Sequence, residues 1–246
     1  MADQQAINRA GVAKFYSVAV SSREYFNSFF KFKGGHKDIL ELGCGTGRNA
    51  IDLAGKSGVN VIGIDVSSTA IEAAASQAKI NRIDNVKFMV MNAECADFAD
   101  NSFDIVYGMG VLHHLDIHKA LGEIVRITRP DGSAIFIEPM GYNPLINLFR
   151  RLTPRLRVKE EHPFKRSDLS LFNDFFQEVN LKFFHLFVLL AVPFRNTVMF
   201  NVLLKYLNCL DNIILRLLPG LKLLFWQVVI VMKGPKKQNA LKKAAR

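Results

Sequence analysis

Three glycines at every second position, Gly43, Gly45 and Gly47, follow directly on a short apolar run that carries Glu41 near its end. Each costs backbone entropy that an alanine would not, so the spacing calls for a reason. A turn without Cβ atoms lets the main chain approach a nucleotide closely. Asp65 ends the next apolar run, NVIGID, where a carboxylate can accept both hydroxyls of a ribose. Asn92 and Glu94 follow a third run, VKFMVM, in position to meet an adenine edge. Beyond them stand His113, His114 and His162. An imidazole titrates near pH 6.5 and can take a proton at neutral pH. The chemistry implied is a nucleoside-bearing cofactor beside a candidate general base. Alone, a G-x-G-x-G also occurs in turns that hold no ligand, so the weight rests on the whole set.

These residues need elements to hold them, and the period of the sequence supplies them. Apolar runs at 38–42, 60–66, 86–91, 103–109 and 133–137 read as strands. Helical patterns at 48–56, 67–79 (capped by Ser67 or Ser68) and 117–128 lie between them, and Pro130-Asp131-Gly132 reads as a turn. Such β-α alternation calls for a parallel sheet covered on both faces. In such a sheet, ligands bind at the carboxyl ends of the strands, where the glycines, Asp65, Asn92 and the first two histidines fall.

Composition bounds the rest. With 246 residues, half of them apolar, the chain can bury one large α/β core. A formal charge of +10 gives a surface that attracts anions, whether nucleic acid, acidic lipid or a phosphorylated molecule. Cys44, Cys95 and Cys209 are odd in number and in no metal-ligand spacing, so neither a disulfide framework nor a metal is expected and a reducing, cytoplasmic setting is. The first residues lack the apolar stretch of a secretory signal. The longest unbroken apolar run, residues 186–194, is too short to span a bilayer.

The motifs Glu41-Leu-Gly-Cys-Gly-Thr-Gly47, Gly63-Ile-Asp65, Asn92-Ala-Glu94, Ser102-Phe-Asp-Ile-Val106, Leu112-His-His114 and Arg129-Pro-Asp-Gly132 occur together, in order, over about residues 36–140. In this the chain resembles the class I S-adenosylmethionine-dependent methyltransferases, of the type 11/25 kind. The resemblance implies a Rossmann-like seven-stranded, mostly parallel sheet with helices on both faces and the last strand antiparallel. It implies S-adenosylmethionine as cofactor and S-adenosylhomocysteine as product. Gly43, Gly45 and Gly47 would line the methionine moiety, with Glu41 orienting the loop and the amino end; Asp65 would hold the ribose, and Asn92 with Ala93 the adenine. Val66 and Gly108 are counted with the cofactor contacts, as is Tyr16 in an aromatic N-terminal helical cap (residues 1–35) folded over the cleft. The family more often has Asp where this chain has Asn92; an amide oxygen still accepts from an adenine amino group.

Methyl transfer is an in-line displacement that depends mostly on alignment and exclusion of water. An acceptor hydroxyl or acidic carbon also has to lose a proton, for which His113, His114 and His162 are the candidates; the first two also read as turn caps or packing residues, and His162 as a substrate contact or part of a solvated surface segment. The Asn/Asp-Pro-Pro-aromatic motif of nucleic-acid amine methylation is replaced by Gly108-Met-Gly-Val-Leu-His-His114, which favours an oxygen or carbon acceptor over nitrogen. Residues 141–166 form the expected substrate lid, with Tyr142, Asn143, Arg150 and Glu161 as substrate contacts. A helix over 168–179 and strands over 182–190 and 225–232 complete the expected sheet, separated by a helical insert at 195–220. On that insert Asn201, Lys205, Asn208, Asn212 and Arg216 form one polar stripe and the rest is apolar. So wide an apolar face closes the substrate pocket, pairs with another subunit as a homodimer, or lies on a membrane surface. The basic tail, 235–246, would assist peripheral contact with anionic lipid or simply solubilise the end. The expectation is therefore one domain over 1–246 that methylates a small, hydrophobic or lipid-like molecule, without a specific nucleic-acid partner. The alternatives are an RNA or protein methyltransferase, and a non-catalytic cofactor-binding protein that contacts membranes.

Overall fold

β1 (Lys37–Leu42) is buried along its length after the first two residues, as a strand flanked on both sides by others must be. The computed structural model describes residues 14–32, 36–56, 58–153 and 162–236. β1 pairs in parallel with β2 (Val59–Asp65) on one side and β4 (Phe103–Met109) on the other. β3 (Val86–Val90) extends the sheet beyond β2, and β5 (Thr128–Pro139) lies beside β4. β7 (Gln227–Pro235) runs antiparallel between β5 and β6 (Phe176–Phe184), giving the order 3-2-1-4-5-7-6. The reversal of order on either side of β1 opens a crevice between the ends of β1 and β4, where an open α/β sheet takes its ligand.

Alternate residues of the strands feed two cores. Leu40, Val106, Phe136 and Ile230 face α4 (Ile117–Ile127) and α6 (Arg166–Phe175). Ile39, Val61, Ile105 and Val229 face α1 (Val20–Asn27), α2 (Arg48–Ala54) and α3 (Ser68–Ile80). Their starts are fixed by side chains in the sequence: Ser67 accepts from the Ala70 amide, and Asp116 from those of His118 and Lys119. A third cluster, around Val188, Val192 and Trp226, joins the N-terminal segment, α5 (Pro144–Leu152) and α7 (Phe200–Leu217).

Four expectations change. The sixth strand begins at Phe176, six residues before the position read from sequence, and α6 ends at Phe175. The apolar stretch beyond it is not strand: His185 turns the chain with φ of 72°, and Phe187–Phe194 coils into a 3-10 helix buried against α7. Pro130-Asp131-Gly132 is no turn between elements but a bulge inside β5, where the pairing shifts between Phe103 and Ile105. The segment between β6 and β7 holds more than the expected insert: α7 lies within 195–220, that 3-10 helix precedes it, and a second, Pro219–Leu224, begins at its end.

Candidate active site

The three glycines form the first wall of the crevice. All have positive φ, at 65°, 52° and 78° for Gly43, Gly45 and Gly47, conformations that cost other residues strain. At Gly47 a Cβ would come within 2.6 Å of the Phe88 ring and 2.7 Å of Ala74; at Gly43 it would meet Val111 at 2.7 Å. Gly45 has open space where its Cβ would be, and its amide donates to Asp65 Oδ2 at 2.9 Å. Asp65 Oδ1 accepts from the Ser67 amide, so the carboxylate ties the loop to the end of β2, with Val66 exposed beside it. Gly108 closes the β4 side, its missing Cβ leaving room for Val111 and Phe136.

Glu41 is buried under this loop. Burial pushes its carboxyl up to about 7, against the hydrogen bond from Asn49 to Oε1. Its Oε2 has no well-formed hydrogen bond, with the Tyr107 hydroxyl and the Ala50 amide as its polar neighbours. A buried acceptor lacking a donor, under a Cβ-free cradle, fits a ligand that carries an ammonium group. A cleft of about 340 Å³ adjoins it, lined by Arg23, Asn49, Asp52, Tyr107 and Met109 among others. Cys44 offers no nucleophile here, because burial and then the Glu41 and Asp65 carboxylates push its thiol up to about 12.

The second wall is built where β4 and β5 end. Glu138, fully buried near the end of β5, accepts at Oε1 from the Val111 and Leu112 amides, at 3.0 and 2.8 Å. Its Oε2 lies 2.7 Å from His113 Nδ1. One carboxylate thus shapes the turn after β4 and sets the imidazole's tilt. The His114 ring centre lies 4.0 Å from that of His113, and the His162 amide donates to the His113 carbonyl at 3.1 Å. The three histidines expected as candidates are therefore neighbours, although nearly fifty residues separate the last from the others. Glu138 carried no role in the sequence reading. Its signal was there: like Glu41 and Asp65 it stands near the end of an apolar strand.

Other expected contacts are dispersed. Asn92 Oδ1 accepts from the Glu94 amide, Glu94 in turn accepts from the Asp116 amide, and Ala93 is buried between them. Tyr16 packs against Trp226 with ring centres 5.4 Å apart and lines a second hollow with Arg23, Met109, Gly110 and Gln227. The Tyr142 hydroxyl accepts from the Arg166 amide, and Arg150 donates weakly to Asn147 at 3.5 Å. Asn143 departs from its expected substrate role. It is fully buried, its Oδ1 caps α5 at the Ile146 amide and its Nδ2 donates to the Leu224 carbonyl, so both polar atoms serve the fold. Glu161 lies outside the described residues, as do residues 1–13 and 33–35 of the N-terminal cap, residues 154–161 of the lid and residues 237–246 of the tail.

Residues 39–132 match the family of methyltransferase domains. That stretch is a methyltransferase domain. It is similar to an O-methyltransferase of Aspergillus nomiae, 43% identical over 101 residues, 40% of this chain and 44% of that protein. It is also similar to the demethylmenaquinone methyltransferase of Lactococcus lactis, 38% identical over 130 residues, 51% of this chain and 50% of that one. The matched stretches thus span half or less of these relatives. Among solved structures, geranyl diphosphate C-methyltransferase from Streptomyces coelicolor, in complex with Mg2+, geranyl diphosphate and S-adenosyl-L-homocysteine, has the same fold at 16% identity, with a TM-score of 0.62 over 87% of this chain and 78% of that one. The matched stretch contains the glycine loop, Asp65, Asn92, His113 and His114.

Proposed function

We propose that this protein transfers a methyl group from S-adenosylmethionine to an oxygen or carbon of a small, apolar molecule. The observation that carries the reading is the pairing of two unlike walls: a cradle with an under-satisfied buried Glu41, and, across the crevice, a histidine held by a buried carboxylate. The cofactor supplies an electrophilic methyl on a sulfonium when bound. Gly43, Gly45 and Gly47 would admit it, Glu41 would take its ammonium, and Asp65 would accept from the ribose hydroxyls in place of the Gly45 amide. Asn92 and Ala93 would meet the adenine, with Val66 exposed beside Asp65 on the outer side. His113 removes the acceptor's proton at Nε2 while Glu138 holds Nδ1 and stabilises the imidazolium that forms. His114 and His162 border that base, and Tyr16, Tyr142 and Arg150 stand on the acceptor side.

Oxygen or carbon is favoured over nitrogen because the turn after β4 presents a base rather than an array of amine acceptors. The names of the similar proteins span oxygen, carbon and nitrogen, so the preference rests on this turn. An anionic membrane surface is the partner we favour and a homodimer its rival. Incubating the chain with methyl-labelled cofactor and a fractionated extract of lipids and small molecules tests the reading. Label in an ether, ester or C-methyl product of the apolar fraction supports it; label confined to RNA, protein or amines replaces it with the alternative classes, and no label in any fraction favours a binding protein.

A further inference from the structure

α7 is apolar over more of its circumference than it buries. Phe200, Leu203, Leu204 and Leu207 pack inward against the cluster around Val188, Val192 and Trp226. On the outer side Val202, Tyr206, Leu210, Ile213 and Leu217 are exposed, with Met199 just before them. The spacings of three, four, four, three and four residues make one continuous helical stripe. α5 shares that inner cluster through Ile146 and also turns apolar side chains outward, Leu145, Leu148 and Leu152. Among the described residues, neither outward face is covered. The inner side of the insert is spent on this cluster, and only the outer side stands open.

The charge distribution says what covers the outer side. Residues 179–246 contain eleven of the 32 lysines and arginines but one of the 22 acidic residues, Asp211. The first 178 residues are therefore electrically neutral, and the entire formal charge of +10 lies in the last 68. Asp211 is 4% exposed and accepts from the amides of Leu186, Phe187 and Val188, so it offers nothing to a partner. Lys205 and Arg216 stand on the exposed surface of α7, each three residues beyond a member of the stripe. A two-fold pairing of α7 with a second copy would bring these cations to the same interface with no exposed carboxylate after Glu178 to answer them.

We infer that the outer face of α7, bordered by Lys205 and Arg216, is a seat for a bilayer surface rich in anionic lipid. The stripe enters the boundary between headgroups and acyl chains, and the cations meet the phosphates. α5 links this face to the end of β5, close to His113 and Glu138, so a bilayer-resident acceptor would lie on the substrate side of the cleft. The inference deepens the partner named above but rests on the surface alone, and stands whatever the methyl acceptor.

The test is sedimentation of the full chain with phosphatidylcholine vesicles, with and without phosphatidylglycerol, at low and high salt. We expect binding to the anionic vesicles only, weakened by salt. Tyr206→Glu with Ile213→Glu should abolish it, and Lys205→Glu with Arg216→Glu should weaken it at least about tenfold, since each basic residue near an anionic surface accounts for roughly a fivefold gain. All four positions are exposed, and unchanged melting temperatures would show that the variants fold. Equal binding to uncharged vesicles, no binding, binding indifferent to both double variants, or a solution dimer that Ile213→Glu dissociates would each overturn the inference. Calorimetry with S-adenosylhomocysteine on the same samples separates this outcome from the enzymatic reading: vesicle binding without cofactor binding would sink that reading and leave this one standing.

Discussion

The buried carboxylates Glu41 and Glu138 do different work because their surroundings differ. Glu41 lacks a full set of donors and is held near neutrality by burial, so a ligand ammonium that pairs with it must displace a proton. S-adenosylhomocysteine should bind at least about fivefold more tightly at pH 7.5 than at pH 6, because a carboxyl titrating near 7 is ionised several times more often at the higher pH. Glu41→Gln should bind weakly with no such dependence, and calorimetry in buffers of different ionisation heat would reveal the released proton. Glu138 has all its donors. Glu138→Gln keeps an oxygen for the Val111 and Leu112 amides but loses the acceptor for His113 Nδ1. The expected result is a kcat lower by roughly 10- to 1000-fold and a displaced pH profile, with cofactor affinity unchanged; an unaltered pH profile would reduce Glu138 to a fold residue. Of these groups, the glycines, Glu41 and Asp65 were legible in sequence because local spacing encodes them. The Glu138–His113 contact was not, since 25 residues separate the partners and only the β4 and β5 pairing brings them together.

Among the elements, strands buried on both faces announce themselves as unbroken apolar runs, which is why β1, β2 and β4 were readable to within a residue and β7 to within three. β6 was not, because an edge strand with Gln177, Glu178 and Asn180 in it reads as helix, while the wholly apolar stretch after it reads as strand. What holds that stretch in its 3-10 form is Asp211, reaching from α7 to three consecutive amides. Asp211→Ala would leave them buried without an acceptor. It should lower stability by at least about 2 kcal/mol, read by denaturant unfolding, whereas a loss below about 0.5 kcal/mol would mean that hydrophobic contacts alone dock α7.

Across the whole molecule, a buried chain of polar groups connects the far edge of the sheet to the N-terminal segment: His185 Nε2 with Ser22 Oγ at 2.9 Å, and Ser22 Oγ donating to Gln227 Oε1 at 2.7 Å. Burial drives the His185 imidazole down to about 3, so below the ordinary histidine range the unfolded chain takes up a proton that the folded one refuses. Stability from this residue is present at neutral pH and lost as the pH falls from about 6.5 towards 3. His185→Asn, which tolerates the positive φ of 72° at that position, should gain about 2 kcal/mol relative to the parent chain between pH 7 and pH 5. Glu41 acts with the opposite sign, destabilising the fold as pH rises from about 4.5 to 7, but is common to both proteins and cancels. A constant difference between the two chains would contradict this account.

The crevice between β1 and β4 is the S-adenosylmethionine site on this reading, and calorimetric titration of the chain with S-adenosylhomocysteine is the decisive measurement. One site of micromolar affinity is expected, weakened at least tenfold by Asp65→Ala, because the lost carboxylate is the acceptor proposed for the ribose hydroxyls. No heat of binding from a folded sample, or an affinity indifferent to Asp65, would contradict it.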